Sequence, residues 1–248
     1  MRRFFLSLIV LILCSSGNAE PKKIVLLSGH VDGSHPPGTH EYVKDFSLLK
    51  HWLETSPNLP EVEVEQYLMG WPEDPSTLDE ADTIFLFSNG ADRNPEDHPF
   101  LVGDRLEVIQ KQMNRGCGLG VLHWSTIVPN EPLGHKFLDW IGGYFDCQSD
   151  PSHPNGWYSR ITLEETTTDL PSPTHPISNG MKPFRLNEEY YYRIRFQEGD
   201  DRLTKILNTP INGVDDLQTV AWAVDRGDGG RGFGFTGGHF SHNLFLSG

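Results

Sequence analysis

A chain of 248 residues is long enough for one domain with its own core. Hydrophobic residues make up 37% and charged residues 22%, the balance of a globular protein, and there is no low-complexity tract or solenoid repeat. A formal net charge of −14 repels phosphate backbones and argues against a nucleic-acid partner.

Taken in chain order, Arg2 and Arg3 precede an apolar run, Phe4–Leu13, and small residues follow from Ser15 to Ala19. This is the pattern of a secretory signal peptide over residues 1–19. The alternative is an uncleaved membrane anchor, but the run is too short to span a bilayer comfortably. The expectation is a mature domain over residues 20–248, periplasmic or secreted, with no membrane span after signal removal. In an oxidising compartment Cys117 and Cys147 could pair, although neither sits in a CxxC motif.

Lys23–Ser28 (KIVLLS) predicts a buried strand, and Gly29–His40 a loop rich in Gly, Pro and His. A helix follows from about Glu41, with Tyr42, Phe46, Leu49 and Leu53 at helical spacing and Pro57 as its stop. Strands are predicted at Glu63–Tyr67, Thr83–Ser88 and Leu119–Trp124. A helix with apolar face Leu106, Ile109 and Met113 lies between the last two, capped by Asp104 and stopped by Gly116. Alternating strands and helices imply an α/β fold with a mostly parallel sheet, helices on both faces and right-handed crossovers. From Trp157 the texture changes to closely spaced strands without long helices between them. Tyr158–Leu163, Glu189–Phe196, Leu203–Asn208, Thr219–Val224 and Gly232–Thr236 predict an antiparallel extension of the sheet, or a small lid region.

Ligands of open α/β sheets bind outside the carboxyl ends of the strands, so the residues following each strand are the candidates. The first strand is followed by His30, His35, His40 and Glu41, the third by Asn89, the fourth ends on His123-Trp124, and the last runs into His239. His123 and His239, with Glu189 as partner, are the candidate catalytic groups, because imidazole exchanges protons near neutral pH. His35, His40, Glu41, Trp124, Tyr191 and Arg231 are candidate substrate contacts. A divalent metal on His35, His40, His123 and His239 is compatible with the residue types, but the spacing matches no compact metal motif, and no cofactor is assigned. The helix start at Glu41 suits either an anion or ordinary capping. Within Glu188-Glu189-Tyr190-Tyr191-Tyr192, alternation along a strand puts Glu189 on the face of Tyr191 and Glu188 on that of Tyr190, with Glu188 expected to be the exposed carboxylate. The glycine-rich stretch 227–238 lacks a phosphate-loop lysine and reads as a hairpin. No nucleophile elbow with Ser or Cys exists.

The blocks GSHPPGTHEY (33–42), GLGVLHW (118–124), DWIGGYF (139–145), HPI (175–177), NEEYYYRIRF (187–196), VAW (220–222) and DGGRGFGFTGGHF (228–240) together resemble the ThuA-like (trehalose-utilisation) family over roughly Lys22 to His242. The resemblance implies a flavodoxin-like fold similar to class I glutamine amidotransferases, without their Cys nucleophile. It also implies a final helix after the GGHF block, which this chain, ending at Gly248, lacks. It further implies a link to disaccharide metabolism. The functional expectation is an exported carbohydrate-processing enzyme working through the histidine pocket, with a small carbohydrate as partner and homo-oligomerisation left open. The alternative is a non-catalytic carbohydrate-binding or interaction module.

Overall fold

The computed structural model describes residues 20–30 and 33–245. The first half alternates strand and helix: β1 (Lys22–Ser28), α1 (Tyr42–Thr55), β2 (Val62–Tyr67), β3 (Thr83–Phe87), α2 (Arg105–Asn114) and β4 (Gly118–Leu122). Short elements follow, namely β5 (Ile127–Val128), α3 (His135–Trp140) and β6 (Gly143–Asp146). The second half holds β7 (Arg160–Thr167), β8 (Arg185–Tyr192), β9 (Arg195–Phe196), β10 (Leu203–Thr209), β11 (Gln218–Asp225) and β12 (Arg231–Phe235).

Seven strands form the central sheet in the order β10-β11-β12-β4-β3-β1-β2. The run β2-β1-β3-β4-β12 is parallel, the flavodoxin-like order with β12 as fifth strand. β10 and β11 extend it in antiparallel fashion. The expected α/β class, mostly parallel with an antiparallel C-terminal part, is the architecture found. β7 and β8 pair only with each other, and β5, β6 and β9 form a third small sheet.

Both faces of the sheet are buried, which is why β1 reads as an unbroken apolar run. Val25 and Leu27 face a core shared with Ile109 and Met113 of α2 and Phe137 of α3. Leu26 faces Tyr42 and Phe46 of α1. Flat aromatic rings fill the sheet where neighbouring strands carry glycine. A Cβ at Gly120 would lie 2.3 Å from the Phe85 ring, and one at Gly234 would lie 2.1 Å from the Trp222 ring. Trp222 is in turn fixed by donating from Nε1 to the Ile141 carbonyl at 2.7 Å.

Several expectations change. The fourth strand stops at Leu122, because His123–Thr126 turn into a 3-10 segment. β5, α3 and β6 escape a periodicity reading, being two to six residues long, with the two strands wholly buried. Asp104 makes no side-chain cap on α2. Cys117 and Cys147 are both buried free thiols, so no disulfide forms between them. The signal-peptide segment, 1–19, lies outside the described residues. Among the described residues no helix is long and apolar enough to cross a membrane.

His98, wholly buried between β3 and α2, ties these layers together. Its Nδ1 accepts from the Phe100 N–H at 3.2 Å, so its proton sits on Nε2 and is donated to the Ser125 carbonyl at 3.1 Å. Burial pushes its pKa down to about 4 from 6.5. A histidine that must stay neutral in the fold but charges when unfolded stabilises the fold fully above its unfolded pKa. That contribution, on the order of 3 kcal/mol, is lost as the pH falls from about 6.5 through about 4. In urea titrations between pH 7 and 4, His98→Leu should start less stable than wild type at pH 7 and then lose less stability on acidification. An unchanged pH slope would remove His98 from this role.

Candidate metal centre

Four elements deliver the candidate side chains to the carboxyl edge of the sheet. His40 closes the loop after β1, His123 follows β4, His239 follows β12, and Glu189 and Tyr191 share one face of β8, which crosses above that edge. The loops carrying His40 and His239 pair through their backbones: Thr39 bridges Phe240, the His40 N–H donates to the His239 carbonyl at 3.1 Å, and the Ser241 N–H donates to the Gly38 carbonyl. Gly238, at φ 113°, makes the bend that a side chain would resist. Among the described residues only three non-glycines have positive φ: His40 at 51°, His123 at 49° and Arg193 at 54°. Strain of this kind persists where surrounding structure holds a residue in place, and two of the three are histidines of this cluster.

His40 Nε2 lies 3.1 Å from His123 Nε2 and 2.9 Å from His239 Nδ1. Glu189 Oε1 is 3.6 Å from both His123 Nε2 and His239 Nδ1. All four ligating atoms fall within 4.8 Å of one another. A tetrahedral ion with bonds of about 2.0–2.1 Å needs edges of about 3.4 Å, so the observed spacings bracket that size.

The outer partners determine which nitrogens carry lone pairs. His123 Nδ1 lies 2.6 Å from the Thr236 carbonyl, which can only accept, so His123 is protonated there and its Nε2 is bare. Tyr42 donates its hydroxyl proton to Asn89 Oδ1 at 2.9 Å, and its oxygen therefore accepts from His40 Nδ1 at 3.3 Å, leaving His40 Nε2 bare as well. A proton on His239 Nδ1 can serve one of these nitrogens. It leaves His40 and His123 facing each other, lone pair to lone pair, in a buried site. Such partners on the far nitrogen are what orient ligating histidines. The His239 Nδ1 proton can serve His40, and the Tyr191 hydroxyl lies 3.2 Å from His123 Nε2; the four groups also have the ligand types and spacing of a divalent-cation site.

Burial pushes His123 down to about 3 and His239 to about 4, so both are neutral at pH 7, the form that ligates. Burial, aided by the nearby Glu188 carboxylate and opposed by a hydrogen bond from Tyr191, raises Glu189 to about 7. Burial also raises Tyr191 well above the usual phenol range. A cation at the centre would favour the Glu189 anion and reverse its shift.

The other predicted residues divide. His35 is half-buried and stacks its ring 4.0 Å from His40, outside the convergent set; it walls the site and is not among the ligands. Trp124 lies 5.0 Å from the His40 ring, with Nε1 donating to Asp92 at 2.6 Å and Arg93 over its face. Tyr191 stacks on His123 and brings its hydroxyl within 3.2 Å of Nε2. Glu41 turns away from the cluster: its carboxylate accepts from the Gly38 N–H of the preceding loop and pairs with Lys44, and it makes no side-chain cap on α1. Arg231 is also corrected. It starts β12, at the opposite edge of the sheet, is 85% exposed and pairs with Asp225. Glu188 is not exposed but buried, accepting from the backbone N–H groups of His239 and Glu189 and from Asn243. Asn89 is a strand-end candidate from the sequence, whereas Tyr42 and Thr236 are not among the site candidates. Only the hydroxyl of Tyr42, two residues after His40, hinted at more than a core role.

Fold and site thus define an α/β protein with a flavodoxin-like sheet and three histidines and a carboxylate at its carboxyl edge. No family model and no curated protein matches the sequence. The chain has the fold of the ThuA-like proteins. A solved structure designated ThuA-like, from Bacteroides uniformis, aligns with 94% of this chain and 89% of its own at TM-score 0.60 and 12% identity. Another, from Parabacteroides merdae, covers 88% of this chain and 79% of its own at TM-score 0.59 and 17% identity. A cytoplasmic protein from Salmonella typhimurium covers 92% of both chains at TM-score 0.56 and 14% identity, and a second from that organism reaches TM-score 0.57 at 13% identity. These two cytoplasmic neighbours overturn the expectation of a periplasmic or secreted protein, which is withdrawn.

The two adjacent carboxylates should separate cleanly. Glu188→Ala leaves the buried His239 N–H without its acceptor and removes one of the two acceptors of Asn243, and should cost about 2–3 kcal/mol in urea unfolding without metal. Glu189→Ala removes a partly desolvated carboxyl and should stay within about 1 kcal/mol of wild type in the same experiment. Equal losses at both positions would contradict the division of roles.

Proposed function

We propose that this protein is a divalent-metal-dependent enzyme, with the ion held by His40, His123, His239 and Glu189, acting on small hydroxylated molecules of the sugar or glycoside class. The observation that carries the reading is the convergence of His40, His123, His239 and Glu189, whose ligand atoms all lie within 4.8 Å of one another in a buried cluster. Imidazole with one carboxylate suits zinc and the neighbouring first-row metals more than magnesium or calcium. When bound, such an ion polarises a substrate oxygen or lowers the pKa of a bound water. Tyr191, Thr236 and the Tyr42–Asn89 pair orient the ligands. The absence of a Ser or Cys nucleophile elbow in the sequence agrees with chemistry of this kind. The sugar class is supported by the Trp124 indole and the Asp92 and Glu189 carboxylates around the cluster, and by the likeness of the sequence blocks to the trehalose-utilisation family. Residues 20–248 are taken as a single functional domain.

The test begins with chelated protein titrated with Zn2+, Mn2+, Co2+ and Ni2+ by calorimetry, with elemental analysis of the product. One ion per chain is expected, lost in His123→Ala and His40→Ala. Hydrolysis or conversion of a panel of disaccharides and glycosides should appear with the ion and disappear with chelator. A wild-type chain that takes up no divalent ion at micromolar concentration would overturn the metal reading. An ion without turnover on any sugar would leave a metal site but overturn the substrate class.

A further inference from the structure

The four ligands are not equivalent, and the difference concerns how a substrate could reach the ion. The side chains of His123 and His239 are 0% and 8% exposed, and His40 is buried with them, whereas Glu189 is 19% exposed. The histidines stand at backbone positions that cannot yield easily. Two are in left-handed conformations, and all three are tied to the backbone of the sheet edge or of the paired loops. Glu189 is held otherwise. It sits on a two-stranded ribbon whose backbone ladder, among the described residues, joins no other strand, and its oxygen is 3.6 Å from its nearest imidazole nitrogens, against 2.9 and 3.1 Å among the imidazoles themselves. Tyr191, two residues along the same face, turns its hydroxyl to His123 Nε2 at 3.2 Å.

Resting on the metal reading above, we propose that His40, His123 and His239 are the permanent ligands and that Glu189 is an exchangeable one, displaced by an oxygen of the substrate entering from the solvent side. Three protein ligands with one exchangeable position is the pattern of catalytic zinc sites, whereas structural sites are closed by four. On exchange one metal–oxygen contact is replaced by another and no covalent bond in the chain changes. The released carboxylate stays on β8 beside the ion, where it can accept a hydrogen bond from a substrate hydroxyl. The ligand class this selects is an oxygen donor, such as a sugar hydroxyl or carbonyl, in preference to a nitrogen or sulfur donor that would compete with the imidazoles themselves.

The experiment uses the full chain loaded with Co2+, whose visible absorption reports coordination, and acetohydroxamate as oxygen-donor probe. Wild type should change its cobalt spectrum on adding acetohydroxamate. Glu189→Ala should still bind Co2+, within about 100-fold of the wild-type affinity, the size of effect typical for groups that tune rather than make a site. His123→Ala should show no measurable binding, and thermal unfolding of both variants checks that they are folded. Loss of Co2+ from a folded Glu189→Ala as complete as from His123→Ala would overturn the exchange, and so would a wild-type spectrum indifferent to acetohydroxamate. Failure of wild type to bind Co2+ at all overturns the metal reading itself and this inference with it.

Discussion

The contact between His123 Nδ1 and the Thr236 carbonyl is the constraint on which the site depends. It spans the ends of β4 and β12, which are parallel neighbours in the sheet. By committing the His123 proton to one nitrogen, it turns the other toward the centre as a bare acceptor. Everything else in the cluster then has to answer to that lone pair. The Tyr42–Asn89 pair presents a second bare nitrogen to it, and His239 and Glu189 close the set. Three imidazoles and a carboxylate that converge in this way have the composition of a metal site, which is the reading proposed above.

The fold makes this geometry affordable through its edges rather than its core. The sheet holds β4 and β12 in register, so the turns that follow them begin at fixed positions. The loops bearing His40 and His239 then lock to each other by backbone pairing, so two residues almost 200 positions apart share one short ladder. The buried carboxylate of Glu188 holds the second of those loops from the opposite face of β8, through the His239 N–H and Asn243. The strand that brings Glu189 and Tyr191 to the cluster therefore also supports the loop that carries His239. Structural and functional carboxylates are neighbours in sequence because a strand turns consecutive side chains to opposite faces.

Much of this architecture was legible before any coordinates. Apolar runs such as KIVLLS and TIFLF identify the parallel strands, because strands buried on both faces have no polar phase to read. The spacing of Tyr42, Phe46, Leu49 and Leu53 identifies α1, and the rule that ligands sit beyond strand ends selects His40, His123 and His239 along with His30, His35 and Glu41, without separating them. The alternation argument places Glu189 with Tyr191. What sequence determined was therefore the fold class, the parallel half of the sheet and the histidines at its carboxyl edge. Tertiary structure alone decided which of them meet. Strand ends converge only once strand order is known, and that order depends on pairings between β4 and β12 more than one hundred residues apart. It also reversed the expected exposure of Glu188 and moved Arg231 to the far edge, because a hairpin leads back to the start of a strand and not to its end. The tautomers that the proposed metal site requires rest on a main-chain carbonyl at Thr236 and a hydroxyl at Tyr42. A carbonyl leaves no mark in the identity of its residue, and a buried tyrosine reads as core until its partner is seen.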